Sequence, residues 1–501
     1  MKSLSFNSLI LTLNIFFCLW ALIIIFDFNY DLVVVNQWTF VLLELFIFQN
    51  IIWLLIERNM RLPSLLVLNL FTTVFFIFRG FTFYYSKGFS NHLYLSGEIT
   101  VLQYNYALIY IIFAVFFLNL GLCSASKKEK YKKNISNIIY NNNGFSIFIL
   151  MCFLGIIIQS LFRVSSIFLN NNLLSYFLRI FPMKVMLFFS LCYLYQNKYF
   201  NFEQYLKTRK WIYFYIFMVI VMTTIIGGRR IILDIILFSF FIHLIIIPRQ
   251  LRFSFKHIFL MVIVLIPILS VVYDLATFLR WQRSDLLVDQ GIQLDYLELL
   301  SMYLNRGFLE TEGFLYQFDR AGFIDLAIES IVYSKSYEPI LNISYYFKSI
   351  IDSLSPGFTF FNVALSGQVK QFIFHYNHVA TLSEVNEALK YNSQAFTIFG
   401  EFFTLFGGYK SIPIYFLLGY LIQWLFQYIN SFNNSFDRIF FKSYLLFLFF
   451  TLILFSFGID WLAVDIFQSL LAYLILRPLL KDRYKPDQDL KENPYIDIQL
   501  R

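Results

Sequence analysis

The sequence predicts an all-α polytopic membrane protein of about twelve transmembrane helices, and three observations lead there. Of the 501 residues, 59% are hydrophobic and only 14% are charged, with a mean hydropathy of +0.66. That is too little charge to cover a soluble protein of this length. Apolar runs of roughly twenty residues recur along most of the chain, each long enough to cross a bilayer. The runs are continuous and do not alternate at every second residue, which excludes a β-barrel.

The first run, SLILTLNIFFCLWALIIIF at 8–26, follows a single lysine. It lacks the short core and small-residue cleavage site of a signal peptide, so it reads as a retained spanning helix. Further helices are expected at 36–56, 64–78, 104–122, 144–162, 174–195, 211–226, 231–247, 257–277, 412–429, 439–457 and 460–476. The basic connectors ERNMR, SKKEKYKK, KTRK and PRQLRFSFK, and the tail RPLLKDRYK, then all fall on one face. The positive-inside rule makes that face cytoplasmic and places both termini inside. The net charge of +8 is thereby accounted for by topology, with no nucleic-acid partner implied. Cys18, Cys123, Cys152 and Cys192 lie in or at the ends of apolar runs and match no metal spacing, so neither disulfides nor a metal site is expected.

This organisation gives a transmembrane bundle over 1–277, an extracytoplasmic cap loop over 278–411, three further helices over 412–476 and a cytoplasmic tail over 477–501. Within the cap, YLELLSMYLNRGFLETEGFLYQFDRAGFIDLAIESIVY repeats apolar residues at three- and four-residue spacing. That period predicts amphipathic helices on or near the membrane surface. SPG at 355–357 and SG at 366–367 read as turns.

Positive charge on the outer side opposes insertion and asks for a reason. In TTIIGGRRIILD, Arg229 and Arg230 follow Gly227 and Gly228 at an outer helix boundary. They either snorkel to headgroups or grip a diphosphate through bidentate bonds, with the glycines allowing close backbone approach. In FLRWQRSDLLVDQG, Arg280 and Arg283 share one helical face, either as an interfacial belt with Trp281 or as a second basic wall. Arg79, Arg306 and Arg320 have the same two readings, anchor or ligand. FHYNH places His375 and His378 three apart, as surface residues or with one accepting a proton. In the stretch 392–426, Glu401 stands in apolar surroundings, where a carboxylate marks either a paired cation or a general base. Glu44 invites the same argument with no motif around it. Tyr345, Tyr346 and Phe347 are candidates to stack on sugar rings, or to pack. The sequence has no P-loop, HExxH, nucleotide-binding glycine fingerprint or Ser-His-Asp signature, and DQD at 487–489 sits in the polar tail with no domain around it.

At these residues the chain resembles the bacterial O-antigen and capsular polysaccharide polymerases, the Wzy-type enzymes, which are related to the O-antigen ligases. GGRR matches a Gly-Arg turn between two helices of that family, and FGEFFTLFGG, running into a helix with Gly419, matches a Gly-Glu…Phe-Gly pattern. Arg280 to Gly291 fits an arginine–ten residues–glycine spacing. The resemblance implies a GT-C-like membrane architecture and polymerisation of undecaprenyl-diphosphate-linked repeat units at the outer face of the bacterial inner membrane. No cofactor, metal or nucleotide is implied. Arg280, Glu401 and His378 would be catalytic, and Arg229, Arg230, Arg283, Arg79, Arg306 and Arg320 would bind diphosphate or substrate. The implied partners are the lipid-linked glycans, the bilayer, a chain-length regulator and a flippase. A ligase, a lipid-linked oligosaccharide flippase and a twelve-helix secondary transporter remain alternatives.

Overall fold

In hydrocarbon every backbone N–H and C=O must be paired within its own segment, so long apolar runs become helices. The computed structural model describes residues 4–26, 37–78, 99–125, 142–164, 183–225, 230–246, 252–253, 271, 274–275, 278, 301–305, 323–354, 360–375, 397–432, 435–454 and 458–480. The first half contains α1 (Phe6–Phe26), α2 (Gln37–Met60), α3 (Pro63–Thr72, prolonged by a π-helical turn at Thr73–Ile77) and α4 (Val101–Ser124). It continues with α5 (Asn142–Val164), α6 (Met183–Phe200), α7 (Phe202–Ile225) and α8 (Arg230–Ile246). The second half contains α9 (Phe323–Val332), α10 (Ile343–Leu354), α11 (Ser366–His375), α12 (Ile398–Phe406), α13 (Ile412–Ile429), α14 (Ser435–Leu454) and α15 (Ile459–Leu476). The strands among the described residues are β1 (Leu4–Ser5) and β2 (Arg252–Phe253), a two-residue antiparallel pair.

Five described helices are long and apolar enough to cross a membrane: Phe6–Ile23, Gln37–Met60, Val101–Ser124, Gly408–Ile429 and Ile459–Leu479. Shorter apolar helices cover Pro63–Ile77, Gly144–Ile157 and Leu233–Ile246. The protein is thus a helical membrane protein. The helix expected at 257–277 lies almost wholly outside the described residues.

Helices α4 and α13 run side by side in parallel, pinned at three levels. Tyr110 and Ser411 hydroxyls meet at 2.5 Å, Gly419 lies against the Leu118 carbonyl, and the Gln427 amide donates to the Ala125 carbonyl at 2.7 Å. A Cβ added at Gly121 would stand 2.1 Å from the Phe416 carbonyl oxygen, and one at Gly419 2.3 Å from that of Leu118. Both glycines are therefore needed for backbones this close, the small-residue device of membrane helix pairs. Polar side chains join the neighbouring helices. The Asn50 amide donates to the Thr72 and Thr73 hydroxyls at 3.1 Å each, and the Asn69 amide donates to Asn119 Oδ1 at 3.0 Å. On the far side of the bundle, Phe188 of α6 stacks on Phe238 of α8 with centroids 3.7 Å apart and meets Phe447 of α14 at 4.9 Å.

Three sequence expectations change. KTRK lies on the opening turns of α7, not in a connector. Asn201 Oδ1 accepts the Gln204 N–H at 3.2 Å, as an N-cap does, and the Glu203–Lys207 ion pair at 2.6 Å supports the exposed first turns. The described end of the cap's periodic stretch, α9, is not a surface helix. Every residue from Ile324 to Ile331 is buried, with Asp325 and Glu329 among them, because α9 packs against α12, α4 and the π-helical turn. The SG at 366–367 opens α11 in place of a turn, with the Gln368 side chain reaching back to the Leu365 N–H at 3.1 Å.

Candidate functional site

The stretch FGEFFTLFGG, residues 399–408, is a helix, a stop and a turn, and its residue types have separate physical roles. A Cβ at Gly400 would fall 1.9 Å from Ser330 Oγ, so only glycine lets α12 lie this close to α9. Phe399 and Phe402 flank the ring of Tyr415, with centroids 5.7 and 5.2 Å away. Gly407 and Gly408 have φ of +74° and +72°, the left-handed backbone that ends a helix and favours glycine. A 3-10 turn over Gly408–Ser411 then delivers the chain into α13.

Glu401 points inward from α12 and is 1% exposed. The Lys370 ammonium on α11 donates to its Oε1, and the Tyr346 hydroxyl on α10 donates to the same oxygen at 3.2 Å. Three helices thus meet on one carboxylate. Asp460, in the first turn of α15, forms the adjoining knot and is fully buried. Its Oδ2 accepts the Ser349 hydroxyl and the Ser366 N–H, each at 2.7 Å. Its Oδ1 accepts the Ser366 hydroxyl at 2.6 Å and the Trp461 N–H at 3.0 Å. Gly458, with φ of +138°, has Ser366 Oγ 1.9 Å from where a Cβ would sit, so the approach to α15 also requires glycine.

Burial pushes the Glu401 carboxyl above its ordinary range, the Lys370 ammonium opposes that shift, and the charge of Asp460 adds to it. Burial and then the charge of Glu401 push the Tyr346 phenol well up. On α9, burial and neighbouring Asp325 push Glu329 well above the carboxylate range. A carboxylate held by an ammonium and a phenol, away from water, is fixed in place. It ties α10 and α11 to α12, while Asp460 ties α10 and α11 to the first turn of α15.

Of the residues singled out by sequence, Glu401 is at the centre of this site. Arg230 is the first residue of α8 and His375 the last of α11. Arg79, Arg229, Arg280, Arg283, Arg306, Arg320 and His378 lie outside the described residues. Tyr346 is buried and the Tyr345 hydroxyl donates to the Ala364 carbonyl at 2.6 Å, so both serve packing, whereas Phe347 is exposed. Glu44 accepts a long contact from Cys18 Sγ at 3.9 Å. Sequence reasoning passed over Lys370 and Asp460. Both carried a signal: a lone cation in QVKQFIF and an acid opening the last apolar run, IDWLAVD. A further, part-buried ion pair, Lys184–Asp465 at 2.7 Å, joins α6 to α15.

In comparisons with known proteins, no family model, no curated protein and no solved structure matches the chain.

Proposed function

We propose that this protein is a membrane glycosyltransferase that polymerises undecaprenyl-diphosphate-linked oligosaccharide repeat units into a surface polysaccharide, at the outer face of a bacterial cytoplasmic membrane. In this reading about twelve helices span the membrane, both termini are cytoplasmic and residues 278–411 form the extracytoplasmic cap. The observation that carries the reading is the Gly400–Gly408 segment. The residues behind the resemblance to the polymerases are the ones that build the close helix contact, the buried ion pair and the left-handed stop beside α13.

In the reaction, a hydroxyl oxygen of the incoming repeat unit bonds to the anomeric carbon of the growing chain. The bond from that carbon to the diphosphate breaks, and its electron pair leaves with undecaprenyl diphosphate. Diphosphate is already a good leaving group, so the main requirements are preorganised positive charge and alignment. Arg229, Arg230, Arg280 and Arg283 supply the charge in this proposal, with Arg79, Arg306 and Arg320 as further contacts. The hydroxyl proton passes to His378. Glu401, engaged by Lys370 and Tyr346, acts as a positioning residue. A chain-length regulator and a flippase are the expected companions.

The test is the size and sidedness of lipid-linked glycans in cells lacking the protein. Single repeat units accumulating on the outer face support polymerisation, and Arg229→Ala and Arg280→Ala should reproduce that defect. Units trapped on the inner face would indicate a flippase, long chains still on lipid would indicate a ligase, and an unchanged glycan profile would overturn the reading.

A further inference from the structure

Helix α10 has two unlike sides. Tyr346, Ser349 and Asp352 are buried, and Ser349 is bonded to Asp460 in the first turn of the candidate span Ile459–Leu479. The level of α10 is therefore set at the end of a membrane-crossing helix. On the other side, Ile343 and Phe347 are each 65% exposed. Beyond α10, two more rings are exposed, Phe360 at 71% and Phe361 at 45%.

Those rings are held out by a built loop. Asp352 Oδ1 accepts the Phe360 and Phe361 N–H groups at 2.7 and 3.0 Å, and its Oδ2 accepts that of Val363 at 3.1 Å. Asn362 takes the left-handed conformation with φ of +51°, which asparagine tolerates better than most residues. One carboxylate thus fixes three backbone amides and presents two large apolar side chains outward. Lys348 stands beside them, its ammonium 5.8 Å from the Phe361 ring centroid. Trp461, next to Asp460, is partly exposed at the start of α15, as tryptophan is at bilayer interfaces.

We propose that Ile343, Phe347, Phe360 and Phe361 form a wedge that inserts into the lipid headgroup–acyl boundary at this end of the bundle. Lys348 reaches lipid phosphate. Phospholipid is the occupant that the observations favour. The patch is apolar with one flanking cation, the arrangement of an interfacial helix. Its depth is set by the candidate span Ile459–Leu479, to which α10 is bonded through Ser349 and Asp460.

The unaltered full-length protein in nanodiscs of phosphatidylethanolamine and phosphatidylglycerol provides the test. One sample carries a phospholipid with a diazirine near its acyl carbonyl, and another receives a water-soluble diazirine. Both are photolysed and mapped by mass spectrometry. The lipid reagent is expected to label Phe347, Phe360 and Phe361 several-fold above buried Phe372, and the aqueous reagent is expected to label exposed Glu338 and spare the wedge. Labelling of the three rings by the aqueous reagent would overturn the proposal. So would labelling by neither reagent, which would mean that protein or glycan covers the face.

Discussion

Lys370 and Glu401, on α11 and α12, form an ion pair almost closed to water, with side chains 3% and 0% exposed. Removing one partner of such a pair leaves a buried uncompensated charge, at a cost of about 3–5 kcal/mol, whereas replacing both is often close to neutral. Lys370→Met is therefore expected to lower the melting temperature of the purified protein sharply. Lys370→Met combined with Glu401→Leu should recover most of the loss. A double variant no more stable than the single one would show that the pair itself is not what matters.

The same pair sets a pH dependence. Burial holds the folded-state Glu401 carboxyl above its ordinary value of 4.5. Below that value the group is protonated both folded and unfolded and contributes no pH dependence. As pH rises past it, the unfolded chain ionises first, so stability falls until the folded-state value is passed. Lys370 opposes the shift, so Lys370→Met should move the end of this falling limb to higher pH. Melting temperatures measured across pH in Lys370→Met should decline more with rising pH than in the parent, and adding Glu401→Leu should flatten the decline.

At the α4–α13 contact, Gly121→Ala and Gly419→Ala each drive a methyl into a backbone carbonyl. Backbone cannot yield as a side chain does, so the helices must separate and forfeit close packing. Both variants should melt well below the parent. Gly155→Ala meets only Met186 Sδ and Cε, at 3.1 and 3.5 Å, and that flexible side chain can move aside. It should stay near the parent and serves as the control.

Among the described residues nothing lies within 4 Å of where a Cβ of Gly407 would sit, but its φ is +74°. Its substitution cost is therefore backbone strain alone, about 1–2 kcal/mol for alanine and less for asparagine. The expected order of thermal stability is parent, Gly407→Asn, Gly407→Ala.

Asp352→Ala removes the acceptor shared by three amides. Lipid photolabelling of Phe360 and Phe361 should fall in this variant, while labelling of Phe347, which is carried by α10 itself, should persist.

Two of the later helices were legible in the sequence as apolar lengths: α13 coincides with the expected 412–429, and α15 with 460–476 to within one residue. Gly407 and Gly408 were legible as glycines, though their role as a helix stop appears only with the backbone angles. What was not legible depends on contacts distant in sequence. Lys370 meets Glu401 across 31 residues, and Ser349 meets Asp460 across 111. Helix α9 misled for a related reason. Asp325 and Glu329 recur at helical spacing as a solvated edge would, and nothing in their own segment says that both are buried.

The parallel course of α4 and α13 carries a parity constraint. Tyr110 faces Ser411, Leu118 faces Gly419 and Ala125 faces Gln427, so two membrane-length helices enter from the same side and leave by the same side. A chain that exits at the end of α4 must be back on the entry side before α13 begins. A topology in which both helices span the membrane therefore needs an odd number of crossings between residues 125 and 408. The topology proposed above places five spans in that interval. A single glycine-packed contact thus sets a parity that any topology proposed for the chain has to meet.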